Sequence, residues 1–532
     1  MIEKQKLDRY EMHKYWGKKP ANDVRILIEK YSKEGDVILD PFSGYGVFCC
    51  EAFLLKRNVI SNDLNPIANF INQQLLNKDI NLVKFDSEWK NIKKELTPYI
   101  NFWYEFDTGD EKVQLINILR NNSDKPLKAR YKSLKDNRTK EITFTEEYSQ
   151  SYSRFENRQE IIEWFPTDEL FENSRISAKK GMIVPDLFTK RALACHAKLL
   201  NLIEKYSTGN EKSLFKLTFT ANLANCSKLV PPIKTRGDMS QGAWMTGFYF
   251  GETYLENNVL EYFENRLNKT IKGKKDYLKF FNNGLFSDYK NSYQVTQFDA
   301  KKLQLPSDSI DYVFTDPPYG DAVPYFEQSI IWNSWLKFTP NYSNEIVISN
   351  SKTREKGIVN FENEIYEAFS EIRRVLKLGG YFSLTYHSLS GHEWRAITNA
   401  CIKNGFKMVD FNWLVQKSFT PRQINRSKSI KGDVLITFRK ESSVRAIVKT
   451  DSETESLFIN KIKIWLREKC LDTNEIFMNI MKIVFEENIL IGEIDLLEVL
   501  TKHFGFDEHQ RWTIKEVIEA ANYINDGIRR TA

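Results

Sequence analysis

Residues 310–319 read IDYVFTDPPY. Six residues rich in β-branched and aromatic side chains are followed at once by an acid, two prolines and a tyrosine. Such a run, bounded by turn residues, predicts a buried strand of a sheet over 310–315. Pro317 and Pro318 fix their own φ angles and carry no N–H, so the strand ends there. The turn therefore leaves carbonyl oxygens, the Asp316 carboxylate and the Tyr319 ring together at one sheet edge.

Outward from this strand, the chain alternates between the two periodicities. Towards the N-terminus, residues 23–31 have apolar side chains at helical spacing (Val24, Leu27, Ile28, Tyr31), and 36–39 form a short apolar strand. The turn DPFSGYG (40–46) follows, then a helix over 47–57 and a strand over 58–62. Asn65-Pro66 opens another helix, where Pro66 is tolerated in the first turn. On the other side, a strand at 293–297 leads to Asp299. After the DPPY turn, helices are expected at 325–338 and 361–376, then a Gly-Gly turn, a strand at 381–386, a helix at 393–404 and strands at 406–415 and 433–438. This order predicts an α/β protein with a doubly wound, mostly parallel sheet. Residues 79–285 break the rhythm and are too long for a loop, so they read as a large inserted domain. Residues from 441 read as helical. The expected division is 1–78 with 286–440 as the sheet-bearing domain, 79–285 as the insertion and a candidate for target recognition, and 441–532 as a helical C-terminal domain.

Ligands of open parallel sheets bind outside the carboxyl ends of the strands, which is where DPFSGYG lies. Gly44 and Gly46 allow close approach of backbone to a ligand, and the following helix offers N–H groups to a carboxylate. Asp63, at the end of the next strand, is placed to accept from ribose hydroxyls. A tight strand-to-helix turn or a dinucleotide site would need similar glycines. The absence of GxGxxG and the preceding Asp40-Pro41-Phe42 favour a methyl donor over a dinucleotide. The DPPY turn suits an exocyclic base amine, whose lone pair is delocalised. Acceptors aimed at its two N–H bonds localise that lone pair and stabilise the charge developing on nitrogen, and Tyr319 would stack on the base.

The chain has 532 residues, 41% hydrophobic and 28% charged, with a net charge of +6. That composition can bury a sizeable core, and the mild basicity fits a nucleic-acid partner without requiring one. There is no apolar run long enough for a membrane span and no leader-like stretch at Met1–Arg9, so a cytoplasmic protein without a membrane partner is expected. The six cysteines form no CxxC pair. Neither a disulfide framework nor a zinc ribbon is indicated.

On these motifs the sequence resembles the amino-methyltransferases of DNA, which act on N6 of adenine or N4 of cytosine. DPFSGYG (40–46) is similar to their donor motif and DPPY (316–319) to their catalytic motif. The closer likeness is to a group of adenine-specific methylases with a zinc ribbon. It includes HKYWGKKP (13–20), WFPTDEL (164–170), Cys226-Ser227-Lys228, DAVPYFE (321–327) and KGDVLITFRK (431–440). The resemblance implies a Rossmann-like class I methyltransferase fold, S-adenosyl-L-methionine as cofactor and DNA as partner, with the target base flipped out. It implies Asp316, Pro317, Pro318 and Tyr319 as catalytic residues. Asp40, Pro41, Phe42, Gly44 and Gly46 would bind the donor. Lys19-Pro20 would lie near its methionine end, Asp63 would hold its ribose, and Asp299 with Phe298 would meet its adenine. The zinc-ribbon cysteines are missing between 79 and 186, so no metal is expected. The insertion before Asp299 is also unusual for this group. A restriction-modification or phage-defence role, with partner subunits of such a system, is the implied setting. An N4-cytosine enzyme, an RNA base methyltransferase and a non-catalytic nucleic-acid-binding subunit are the alternatives.

Three basic stretches, 125–140, 266–279 and 417–431, are candidates for phosphate contact or for ordinary solvated surface. Arg422, Arg426 and Lys428 in the third are the best placed, because they connect two strands near the ligand edge. His387 and the loop 231–250 are further candidates for shaping a base pocket.

Overall fold

The computed structural model describes residues 7–282, 291–351, 354–386, 391–414, 433–507 and 509–515. Arg422, Arg426, Lys428 and His387 lie outside them. Strands β1 (Val37–Asp40) and β2 (Asn58–Asn62) are followed by four strands of the long insertion, β3 (Glu105–Asp107), β4 (Lys112–Asn121), β5 (Pro126–Lys132) and β6 (Thr139–Thr143). A fifth, β7 (Thr253–Asn257), precedes β8 (Tyr293–Thr296), β9 (Ile310–Thr315), β10 (Leu376–Tyr386), β11 (Phe406–Leu414) and β12 (Asp433–Lys440). Seven of these form one sheet in the order β11-β12-β10-β9-β1-β2-β8. The pairs β8/β2, β2/β1, β1/β9 and β9/β10 are parallel, and β12 runs antiparallel to both its neighbours. The sheet is thus mostly parallel. Chain order reverses between β1 and β9, and the crevice outside that point is where such sheets bind ligands.

The sheet-covering helices are α1 (Ala21–Tyr31), α2 (Val47–Leu54) and α3 (Pro66–Leu76). On α1 the predicted stripe of Val24, Leu27, Ile28 and Tyr31 is buried. All eight residues of α2 are buried, as an all-round apolar helix requires. Its one charge, Glu51, accepts from Arg9 Nε at 3.0 Å and Nη2 at 2.6 Å and from Arg25 Nη1 at 2.8 Å. This anchors the N-terminal segment to the helix that follows the glycine turn.

The insertion holds helices α4 (Leu82–Tyr104), α5 (Glu146–Arg158), α6 (Lys190–Tyr206), α7 (Gly209–Leu223) and α8 (Val259–Asn282). Its strands make a separate antiparallel sheet in which β4 pairs with β3, β5 and β7. Its apolar side chains, among them Trp89, Trp103, Leu115 and Phe215, join Ile38, Phe48 and Tyr312 in one cluster on one face of the seven-stranded sheet. Helix α9 (Tyr325–Asn333) packs on this same side and buries Ile330, Ile331 and Trp332 in that cluster, whereas the opposite face carries α10 (Ile358–Val375) and α11 (Gly391–Lys403), which bury Phe361, Phe369 and Trp394 in a second cluster there. The C-terminal helices α12 (Asp451–Glu468) and α13 (Thr473–Glu486) extend that cluster. Trp394 meets Phe477 at 4.6 Å between ring centroids and Phe438 meets Phe485 at 5.2 Å. A shorter helix, α14 (Leu496–His503), follows. No helix among the described residues is long and apolar enough to cross a membrane.

The Gly-Gly pair expected as a turn lies inside β10. The strand starts at Leu376, and its register against β9 shifts between Leu376 and Tyr381. Gly379 has φ +77°, so it absorbs the bulge.

Candidate active site

The ends of β1, β2, β8 and β9 surround one cleft, which encloses about 950 Å³ including open solvent. It is lined by Tyr15–Lys19 of the N-terminal segment, Asp40–Phe48, Asp63, Asp299, Asp316, Pro318, Tyr325 and the stretch Asn344–Ile346.

The glycine turn is held from below by polar side chains. Asp40 Oδ1 accepts from the Phe42 amide at 3.1 Å. Asn62 Nδ2 donates to the Pro41 carbonyl at 3.1 Å, and Asn72 Nδ2 donates to the Gly44 carbonyl at 2.8 Å. The Asp63 carboxylate accepts from the Gly44 amide at 2.9 Å and from the Asn65 amide at 2.8 Å. Gly46 has φ +84°, and a Cβ there would lie 2.6 Å from Asn72 Cγ. A Cβ on Gly44, at φ +49°, would lie 3.3 Å from the Tyr15 ring. Gly46 is thus required by conformation and by space, and Gly44 by its conformation, with a tight approach to Tyr15.

The DPPY turn follows β9, next to β1 (Ile38 pairs with Tyr312 and Leu39 with Val313). Asp316 Oδ1 lies 3.0 Å from Lys19 Nζ and accepts from Thr385 Oγ1 at 2.9 Å. It also accepts from the Tyr319 hydroxyl, which Lys19 Nζ reaches at 3.1 Å. A Cβ on Gly17 would lie 3.3 Å from Asp316 Oδ2 and 3.9 Å from the Tyr325 hydroxyl, so Gly17 keeps space beside the carboxylate. The Tyr319 ring packs edge-on against Tyr386 at 5.4 Å. Tyr15 and Tyr325 stack at 6.2 Å, and Trp16 meets Trp332 at 5.2 Å and Tyr325 at 5.9 Å.

Three carboxylates, Asp40, Asp63 and Asp316, share this cleft. Burial pushes the Asp40 carboxyl far above the usual range, and the nearby Asp63 and Asp316 charges add to it. Burial pushes Asp63 up to about 6, against the two backbone N–H bonds that lower it. Burial also raises the Tyr325 phenol, with Asp316 and Asp63 contributing. Lys18 is lowered to about 7 by burial. Its ammonium donates to the Tyr10 and His13 carbonyls at 2.7 and 2.6 Å and sits over the Tyr45 ring.

Of the residues singled out from the sequence, Lys19, Asp40, Pro41, Phe42, Gly44, Gly46, Asp63, Asp299, Asp316 and Pro318 line the cleft. Tyr319 reaches it through Asp316. Pro20 caps α1 instead. Phe298 contributes backbone: its N–H donates to Asn62 Oδ1 at 2.8 Å and its carbonyl accepts from Asn62 Nδ2 at 3.0 Å. Tyr15, Trp16, Gly17 and Tyr325 went unassigned, although the aromatic-glycine run at 15–17 and the tyrosine of DAVPYFE are visible signals. Asn344–Ile346 carry no sequence signal. Among the described residues no group of three or more His, Cys, Asp or Glu side chains is arranged to hold a metal.

The insertion reaches the rim of the cleft. Arg175 binds Asp321 at 2.5 Å, Asn173 Nδ2 donates to Glu327 at 3.1 Å, and the Ser177 amide donates to the Gly247 carbonyl at 2.7 Å. The basic stretch 125–140 is largely neutralised in place. Lys125 pairs with Glu146, Lys128 with Asp238, Arg130 with Glu141, Lys135 with Asp110 and Lys140 with Asp136. In the second stretch, Arg266 and Lys274 are buried, and Lys274 donates to the Gln74 and Asn77 carbonyls at the end of α3.

A family model described as DNA methylase, of the N6/N4 type, matches residues 2–73. Methylases of that family use S-adenosylmethionine. No curated protein matches the chain. Among solved structures, one similar chain is from Thermus thermophilus and is assigned as a DNA modification methylase. It is 16% identical over 30% of this chain and 58% of that one, with a TM-score of 0.17. The same Thermus protein complexed with S-adenosyl-L-methionine matches at 16% identity, over 30% and 57% of the two chains, with a TM-score of 0.18. A SAM-dependent methyltransferase from Methanosarcina mazei is 12% identical over 31% of this chain and 76% of that one, with a TM-score of 0.18. The chain spans about three fifths of the length of the first of these structures.

Proposed function

We propose that this protein is an S-adenosylmethionine-dependent DNA methyltransferase that modifies an exocyclic base amine, N6 of adenine, in a nucleotide turned out of the duplex. One observation carries the reading. The glycine turn after β1 and the DPPY turn after β9 end adjacent parallel strands and open into one cleft. A donor and an acceptor amine held there would be within reach of each other, which supplies the proximity that a bimolecular transfer otherwise lacks.

The cleft fits the donor. The Gly44–Gly46 backbone lies where side chains would collide, and α2 offers its first N–H groups to a carboxylate. Asp63 and Asp299 line the wall as acceptors for hydroxyl and amino groups, and Phe42 and Ile346 provide apolar surface. The bound donor supplies a methyl group on a sulfonium, which leaves as a neutral thioether. Asp316 and the carbonyls beside Pro317 and Pro318 accept from the target N–H bonds and stabilise the positive charge that grows on nitrogen. Tyr319 offers its ring to the base. The aspartate of DPPY favours adenine over cytosine, N4 of cytosine being the second reading.

The family match over residues 2–73 supports the donor half of this reading. The insertion, whose Asn173–Ser177 and Trp244–Gly247 segments edge the region after DPPY, is proposed as the target-recognition part. A restriction-modification or defence role goes with the family resemblance. The test is nucleoside analysis of mixed DNA and RNA after incubation with labelled donor. Label in N6-methyladenine from DNA is expected. Label in N4-methylcytosine, or in RNA nucleosides alone, would replace the substrate assignment.

A further inference from the structure

The Lys19 ammonium does more than line the donor cleft. It lies 3.0 Å from Asp316 Oδ1 and 3.1 Å from the Tyr319 hydroxyl, with the two charged side chains only 12% and 16% exposed. Lys19 precedes Pro20, the N-cap of α1, and belongs to the segment anchored by the Arg9–Glu51 and Arg25–Glu51 pairs. Its position is therefore built into the fold.

We propose that Lys19 is a positioning residue: its charge holds Asp316 as a carboxylate, so that the DPPY turn meets the target amine as an acceptor. This rests on the reading of the cleft as a base-amine methyltransferase site.

The argument comes from the groups that face Asp316. On one side is Asp63 from the end of β2, which is ionised above about pH 6 and then opposes a further negative charge in the same cleft, while Asp40 from the end of β1 is pushed by burial far above the usual carboxylate range and adds no field while protonated. The Tyr325 hydroxyl on α9 lies beside Gly17, on the Oδ2 side, and Glu393 on α11 packs against Gly320 just after the motif. Thr385 of β10 and Tyr319 donate neutral hydrogen bonds to Oδ1. Among the described residues, Lys19 brings a positive charge to Oδ1. An opposite charge at this distance favours the ionised carboxylate, and like charges nearby disfavour it. A protonated Asp316 would present a hydroxyl where the amine needs an acceptor. The cation has a cost, because it also opposes the charge developing on the amine. Its benefit is therefore confined to pH values where Asp316 would otherwise be protonated.

That balance gives a pH signature that a merely structural lysine lacks. Single-turnover methyl transfer to DNA is measured from pH 5 to 9 for wild type, Lys19→Met and Lys19→Arg, with donor affinity measured by calorimetry in parallel. The acid limb of Lys19→Met is expected to move to higher pH by about 1–3 units. Lys19→Arg, which keeps the charge, should hold the acid limb near its wild-type position, so the readout is where the limb lies and not the height of the plateau. A Lys19→Met profile that coincides with wild type overturns the proposal. So does a pH-independent loss that parallels lost donor affinity, which would make Lys19 a donor ligand. A wild-type protein that methylates no DNA at any pH would remove the parent reading as well, and is distinguishable from both.

Discussion

The Asp63 carboxylate accepts a hydrogen bond from the Gly44 amide at 2.9 Å, tying the end of β2 to the turn after β1. One side chain thus shapes the glycine turn and lines the cleft beside it. Burial pushes its carboxyl up to about 6. The ionised form is the better acceptor, so donor affinity is expected to fall as pH drops through 6, by up to about tenfold per unit. Without donor, the folded chain holds this proton more tightly than the unfolded chain, whose ordinary value is 3.8. The fold should therefore lose stability as pH rises from about 4 to 6. Asp63→Ala should cost donor binding about 1.5–3 kcal/mol for each charge-assisted bond lost. Calorimetry at pH 5, 6 and 7.5 checks this, and an affinity that ignores both pH and the substitution contradicts it.

Gly46→Ala should fail twice over. The residue sits at φ +84°, and the added methyl would meet Asn72 at the base of α3. The left-handed conformation alone costs about 1–2 kcal/mol, and displacing Asn72 releases the Gly44 carbonyl and Ser61. A loss of at least about 2 kcal/mol in denaturant unfolding is expected, together with lost donor binding. Wild-type stability would show that the turn relaxes freely.

Removing Glu51 tests how the N-terminal segment is held. Its carboxylate is fully buried, and Arg9 beside it is 3% exposed. Removing one partner of a buried pair costs about 3–5 kcal/mol, and because Arg9 keeps Asp276 Oδ2 at 2.9 Å the expected cost is about 3 kcal/mol. Glu51→Ala should lose that much stability and should weaken donor binding, because residues 15–19 line the cleft. A loss below about 1 kcal/mol would place the anchor elsewhere.

The central strands were legible because each is an apolar run closed by polar turn residues. The expected spans of β2 and β9 coincide with the observed ones. The bulge in β10 was not legible, because Gly379-Gly380 looks the same in a turn and in a bulged strand. Nor was the sheet of the insertion, where β4 pairs with β7 from across several helices, a pairing that no local pattern encodes. The site divides likewise. The glycine turn and DPPY stand out as motifs, whereas the contact of Lys19 with Asp316 depends on the N-terminal segment crossing the sheet edge. Basic spacing at 125–140 looked like a phosphate stripe, but its acidic partners Glu146 and Asp238 lie outside the stretch and Asp110 precedes it.

The most direct test is single-turnover methyl transfer to DNA by wild type and Asp316→Ala, with donor affinity measured on the same preparations. Asp316 is placed on the acceptor side of the cleft, while Gly44, Gly46 and Asp63 are placed on the donor side. The account predicts a transfer rate lower by about 10²–10³ in Asp316→Ala, with donor affinity nearly unchanged. Asp316→Asn should fall between the two, since its amide oxygen still accepts. An Asp316→Ala protein that transfers methyl groups at the wild-type rate would contradict the account.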